Sequence, residues 1–150
     1  MVDQIPVVDE WVSKPEAWVF DLDGTLAHRG DRDPYDCTHA MRDSLDHTVA
    51  ELFYQLTYEG AFDGIIVTGR QEKDRAVTEA WLDRYLTEPY LLLMRPTGDN
   101  RPDHVVKREL YERQIAPRYT VVGVFDDRDS VVAMWRDLGL KCFQVQEGDF

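Results

Sequence analysis

Apolar and polar positions fall into two kinds of block along this chain. Short runs rich in β-branched and aromatic residues lie at 17–20, 64–67, 90–93, 120–125 and 140–144. Each has the length of a buried strand and is bounded by turn-forming residues. Between them, apolar residues recur at helical spacing. The first such stretch predicts a long helix over about 38–58, with Leu45, Val49, Leu52 and Leu56 on its core face and Gly60 at its end. A second helix is expected over about 72–85, aligning Val77, Ala80, Trp81 and Arg84. A third begins at Asp103, read as its N-cap, carries Lys107 and stops before Pro117. A fourth, over about 130–138, presents Val131, Met134, Trp135 and Leu138, and Gly139 terminates it. The stretch 27–36, with Gly30 and Pro34 among charges, predicts a loop.

Strand and helix alternate throughout, which predicts an α/β fold: a Rossmann-like, three-layer parallel sheet with helices on both faces. Right-handed crossovers follow from strand twist. No repeat, linker or low-complexity tract interrupts residues 17–150, so they read as one domain. Residues 1–16 read as an N-terminal extension broken by Pro6 and Pro15. In it Val7, Val8, Trp11 and Val12 either form a short extra strand or lie along the surface. Three predicted strands end in polar chemistry: Asp21 and Asp23, Thr68 and Arg70, Asp126 and Asp127. In an open α/β sheet, sites form outside the carboxyl ends of the strands. All three ends should meet in one crevice, joined by Lys107 from a helix start, with the 27–36 loop overhanging it.

Composition narrows the function classes. With 150 residues and 43% apolar content, the chain can bury a real core and is not a disordered one. No apolar run approaches a membrane span, and the acidic start Met1-Val2-Asp3 carries no signal-peptide pattern. Cys37 and Cys142 lack metal-ligand spacing and read as free thiols of a reducing, cytoplasmic compartment. His28, His39, His47 and His104 are scattered, against a zinc site. The formal net charge of -12 disfavours long-range attraction to nucleic acid. A nucleic-acid substrate would be gripped at a short end, by a local basic cluster.

The chemistry concentrates in Trp18-Val19-Phe20-Asp21-Leu22-Asp23-Gly24-Thr25-Leu26. An apolar strand stops on two carboxylates one residue apart, and Gly24 supplies the freedom to turn there. Two acids that close repel and call for a cation between them; a hard, oxygen-loving ion such as Mg2+ suits them best. An Asp-x-Asp pair alone is weak, but Asp-x-Asp-Gly-Thr after a buried strand resembles the first motif of the haloacid dehalogenase (HAD) superfamily of aspartate-nucleophile phosphatases. Thr68-Gly69-Arg70, Lys107 and Asp126-Asp127 resemble its second, third and fourth motifs. The similarity is more specific still. Arg32-Asp33-Pro34-Tyr35-Asp36, Gly98-Asp99-Asn100-Arg101, Asp103 with Val105-Val106-Lys107, Asp126-Asp127-Arg128, and Gln144-Val145 with Gly148-Asp149-Phe150 resemble the phosphatase domain of phage-type polynucleotide kinase-phosphatases.

That resemblance implies a HAD-like fold without a large cap domain. It implies Mg2+-dependent removal of 3′-phosphates, and of 2′,3′-cyclic phosphates, from DNA or RNA ends through an aspartyl phosphate. Asp21 would be the nucleophile and Asp23 the general acid and base. Thr68 and Lys107 would bind phosphoryl oxygens. Asp21, the backbone carbonyl of Asp23, and Asp127 would hold the metal, with Asp126 in support. Arg32, Arg70 and Asp103 match functional positions, and Arg95 and Arg101 sit in the substrate-side loop. No Gly-x-x-x-x-Gly-Lys-Ser/Thr stretch occurs, so the chain reads as a phosphatase alone or a piece of a larger protein, with room for a separate kinase or ligase partner or an oligomer. Two other readings stand beside this one. One is a superfamily phosphatase of nucleotides or small metabolites. The other is a receiver-like phospho-signalling module, against which the acids after strand one, rather than strand three, argue.

Overall fold

A computed structural model describes residues 13–150. The segment holding Val7, Val8, Trp11 and Val12 lies outside the described residues. The elements run β1 (Glu16–Phe20), β2 (Ala27–His28), β3 (Ser44–Leu45), α1 (His47–Thr57), β4 (Asp63–Gln71) and α2 (Arg75–Tyr85). They continue with β5 (Tyr90–Arg95), α3 (Asp103–Leu110), β6 (Thr120–Asp126), α4 (Asp129–Asp137) and β7 (Cys142–Gln144). β5, β4, β1, β6 and β7 form, in that order, one parallel sheet, as the alternation of strand and helix requires. No large cap is inserted among the described residues.

The apolar run before Asp21 becomes the central strand. β1 pairs with β4 from Ala17↔Asp63 to Phe20↔Ile66, and with β6 from Glu16↔Thr120 to Phe20↔Phe125. Its side chains alternate between two cores. Ala17 and Val19 join Val106, Leu110, Val131 and Trp135 of α3 and α4. Phe20 joins Phe53, Trp81 and Leu82 of α1 and α2 on the other face. Burial on both faces explains why the strand reads as a continuous apolar run.

The long helix expected over 38–58 does not form as one piece. A 3₁₀ turn at Ala40–Arg42 precedes β3, and α1 begins only at His47. Between them Asp43 is extended, with φ -60 and ψ 138. Its backbone carbonyl accepts a hydrogen bond from Trp81 Nε1 at 2.9 Å, and its carboxylate binds two arginines described below. These long-range bonds outweigh local helical spacing. Leu45 therefore sits on a strand, paired with Ala27, and the core stripe of α1 is Val49, Phe53 and Thr57. Leu52 is exposed and Leu56 half-buried. Asp46 caps α1 instead, accepting from the Val49 amide at 3.0 Å. Part of the expected loop at 27–36 is correspondingly β2.

Smaller differences follow the same rule. In α2 the buried residues are Thr78, Trp81 and Leu82, while Ala80 and Arg84 face out. Pro102, not Asp103, occupies the N-cap of α3. The Asp103 carboxylate turns toward two cations instead of the helix amides. α4 matches its expected stripe, and Gly139 follows it at φ 83.

Candidate active site

The carboxyl ends of β1, β4 and β6, three neighbouring strands, open onto one crevice of about 830 Å³. Asp21 directly follows β1, and its amide still donates to the Phe125 carbonyl of β6 at 2.9 Å. The chain then turns sharply: Gly24 has φ 88, and the amides of Thr25, Leu26 and Ala27 all bond back to the Leu22 carbonyl. A Cβ on Gly24 would lie 2.1 Å from Asp127 Oδ2, so glycine here permits both the turn and the approach of the β6 end.

Asp21 is buried among four side chains. Lys107 Nζ donates to its Oδ1 at 2.6 Å, and Thr25 Oγ1 donates to its Oδ2 at 2.9 Å. Asp126 and Asp127 complete a cluster in which one carboxylate oxygen of each acid lies within 4.8 Å of the others. Asp126 is tied down: its oxygens accept from Lys107 Nζ (3.0 Å), Trp135 Nε1 (3.2 Å) and the Asp127 amide (2.9 Å). Burial, then the Asp126 charge, push the Asp21 carboxyl well above its ordinary value despite Lys107. Burial and Asp126 push Asp127 up too. Burial alone would lower Lys107, but Asp103, Asp126 and Asp21 outweigh it and hold the ammonium charged. Three buried carboxylates facing one lysine leave a local excess of negative charge. Hard oxygen donors in that arrangement fit a magnesium-type cation.

Asp23 stands apart from this cluster. Arg70 grips it with both arms of the guanidinium, Nε at 2.9 Å and Nη2 at 2.6 Å. Arg70 reaches it because β4 breaks register with β5 between Thr68 and Gln71, lifting Gly69 and Arg70 out of the ladder. Thr68 is buried beneath, and its Oγ1 accepts the Arg70 amide at 3.1 Å. The Asp23 side chain remains 33% exposed, on the crevice side.

The arginines are placed differently from one another. Arg32 turns inward, away from the crevice lining: its Nε and Nη2 grip Asp43 at 2.9 and 2.8 Å, and Asp23 is 3.6 Å away. Arg70 Nη2 shares the same Asp43 oxygen at 2.8 Å. Asp43, with a side chain 1% exposed, thus fixes both arginines that flank Asp23. Nothing in the sequence marked it, because its partners are 11 and 27 residues distant. Arg95 binds the carbonyls of Gly69, Asp99 and Arg101 and the Asp103 carboxylate, so it shapes the loop over 96–102. Arg101 pairs with Asp99 and Glu109 at the mouth. Asp103 faces Arg95 at 3.2 Å and Lys107 at 3.6 Å. Burial raises its proton affinity, but Lys107, Arg128 and Arg95 outweigh that and hold it ionised. The crevice therefore gathers Asp21, Asp23, Thr68, Arg70, Arg95, Arg101, Asp103, Lys107 and Asp127 on its lining, with Asp126 just behind. Arg128, and Gln146, which nothing in the sequence marked, also line it.

Comparison with known proteins gives a consistent set of likenesses. The family model described as "Polynucleotide kinase PNKP phosphatase domain" matches residues 15–150. A candidate bifunctional polynucleotide kinase/RNA ligase of Autographa californica nuclear polyhedrosis virus is 36% identical over 138 residues, which is 89% of this chain and 19% of that protein. Two solved structures of the Pnkp1/Rnl/Hen1 complex, one titled an RNA repair complex, contain similar chains. Their TM-scores are 0.88 and 0.87, at 42% and 41% identity over 93% of this chain. The chain spans 45% and 48% of those chains and about a fifth of the viral protein.

Proposed function

Because the chain belongs to the family of polynucleotide kinase phosphatase domains, we propose that it is a phosphatase of polynucleotide ends that removes 3′-phosphates. The observation that carries this reading is the division of labour between two acids. Asp21 is buried against Lys107 and Thr25 beside Asp126 and Asp127, while Asp23 faces the crevice on Arg70. One is set up to attack phosphorus, the other to handle the proton of the leaving oxygen.

In the mechanism we infer, an Asp21 oxygen forms a bond to phosphorus as the ester bond to the sugar oxygen breaks. Asp23 gives its proton to that oxygen. The phosphoryl group is then carried on Asp21. Asp23, now a carboxylate, takes a proton from water as the water oxygen attacks phosphorus and releases Asp21. Lys107 and Thr68 bind phosphoryl oxygens, and Arg70 keeps Asp23 in line. Asp21 and Asp127, with the Asp23 backbone carbonyl, are the residues that would hold Mg2+, and Asp126 supports them. When bound, the ion neutralises the acid cluster and the phosphoryl charge. Activity on 2′,3′-cyclic phosphates, association with a separate kinase or ligase, and a cytoplasmic setting, which suits the buried free thiols Cys37 and Cys142, belong to the same reading. So does the division into an extension, 1–16, and a phosphatase domain, 17–150.

One observation favours a second reading. Arg32 and Arg95 are engaged by the protein itself, which reduces the cationic surface left for a polynucleotide. A phosphatase of nucleotides or small metabolites would need no more. The deciding experiment incubates the protein with Mg2+ and, at one ionic strength, a 3′-phosphorylated oligonucleotide, its 5′-phosphorylated isomer, a mononucleotide and an aryl phosphate. The expected result is a kcat/KM on the 3′-phosphorylated oligonucleotide at least ten-fold above the others. Equal rates on all four would leave only the general phosphatase.

A further inference from the structure

The crevice mouth carries an aromatic ring that the proposed mechanism does not use. Phe150 lines the crevice and is 69% exposed. The Arg128 guanidinium lies over the ring, Cζ 4.8 Å from its centroid. Among the described residues Arg128 makes no ion pair, whereas Arg70, Arg95, Arg101 and Lys107 in the same lining all do.

The segment that carries Phe150 is fastened to the acid cluster. The Val145 amide donates to the Asp126 carbonyl at 3.1 Å, and Gln146 Nε2 to the Gly24 carbonyl at 2.8 Å. The Asp129 amide donates to the Gly148 carbonyl at 2.9 Å. Gly148 packs so closely that a Cβ would stand 1.8 Å from the Asp127 carbonyl oxygen. The ring is thus held in fixed relation to the residues that would receive the phosphate, through the backbone of Gly24, Asp126 and Asp127.

We infer that Phe150, backed by Arg128, is a stacking platform for the nucleobase of the nucleotide whose phosphate is removed. This rests on the reading of the protein as a phosphatase of polynucleotide ends. Charge explains why such a platform is needed. The whole chain carries a formal net charge of -12, and most cations of the crevice are already paired with carboxylates. Affinity drawn from phosphate contacts alone is therefore limited. Stacking on an aromatic ring and a guanidinium plane is independent of net charge and accepts any base. The platform thus supplies end binding without sequence preference. Tyr35, 86% exposed and also lining the crevice, is a competing candidate, but no described contact backs its ring, and only an Asx turn to Asp33 orders its backbone.

The test compares two 3′-phosphorylated dinucleotides, one intact and one abasic at the phosphorylated sugar. The wild-type protein should prefer the intact one roughly ten-fold in kcat/KM, through KM, for each of the four bases. F150A should abolish that preference, and F150W should keep it. An equal rate of the wild type on both substrates, a preference that survives F150A, or one that collapses in Y35A instead would each overturn the platform. A binding arm avoids turnover. D21N protein should quench a 3′-phosphorylated dinucleotide carrying 2-aminopurine at the terminal position, and D21N/F150A should not. Lack of quenching overturns the platform whatever the turnover. Quenching by D21N while the wild-type protein releases no 3′-phosphate keeps it and overturns the end-phosphatase reading.

Discussion

Asp21 and Asp23 are two residues apart and have opposite surroundings. Asp21 is buried on Lys107; Asp23 reaches the crevice from the grip of Arg70. Their replacements should therefore fail differently. D23N should lose activity on alkyl esters such as a sugar 3′-phosphate while retaining part of its cleavage of aryl phosphates, whose leaving groups need no proton. Parallel kcat measurements on the two substrate types check this; equal loss on both, with metal binding intact by calorimetry, would remove Asp23 from the acid role. Lys107 faces Asp21, Asp126 and Asp103 with a side chain only 1% exposed. K107A should lower kcat/KM on the order of 10²-fold or more, because phosphoryl charge then develops beside unopposed carboxylates. A near-normal rate would place the ammonium outside the reaction.

The element that connects site to scaffold is the segment 43–45, between the 3₁₀ turn and α1. Its Asp43 binds Arg32 and Arg70 and, through its carbonyl, Trp81 of α2. Removing one member of such a buried charged network leaves the others unpaired, at a cost of about 3–5 kcal/mol. D43A should show that loss in urea unfolding followed by fluorescence. D43N keeps the shape and some hydrogen bonds, so it should lose less stability while still slackening Arg70 and lowering kcat. A D43A protein with unchanged stability would mean that the network is dispensable to the fold. This element also shows the limit of periodicity. Leu45, Val49, Leu52 and Leu56 have helical spacing, yet a buried aspartate with partners on β4 and in the 29–36 loop breaks the helix before His47. Spacing records local preference, and here tertiary hydrogen bonds and ion pairs exceed it.

At the scale of the molecule, the acid cluster opposes folding when no cation is present. Asp21 and Asp127 both have folded proton affinities raised above the ordinary carboxylate value of 3.8. Below that value they are protonated in folded and unfolded chains alike and contribute nothing. As pH rises from 3.8 through the raised folded values, the unfolded chain ionises first, so stability falls, and above them the full penalty stays. Three outcomes follow for thermal unfolding of the chelated protein at pH 7. D127N should raise the Tm, that gain should shrink as pH is lowered toward 4, and added Mg2+ should raise the wild-type Tm more than that of D127N. A D127N protein less stable than the wild type without metal would show that Asp127 is not under electrostatic strain. Among the described residues no helix is long and apolar enough to cross a membrane.

The sequence by itself determined that the sheet is parallel, that the strand before Asp21 is buried, and that Asp21, Asp23, Thr68, Lys107, Asp126 and Asp127 converge on one edge. These follow from local facts: buried strands are apolar on both faces, and strand ends in a parallel sheet share a side. The order of the strands, with that strand at the centre, came from the structure. The tertiary structure alone decided which way each side chain points. It turned Arg32 from the crevice to Asp43, gave Arg95 to the loop backbone, moved Asp103 from a cap to a partner of Arg95, and brought Phe150 to the mouth. Those choices depend on partners up to 122 residues away, as between Gln146 and Gly24. A charge on a loop or a helix takes its partner from whatever the fold brings near, and no local spacing encodes that.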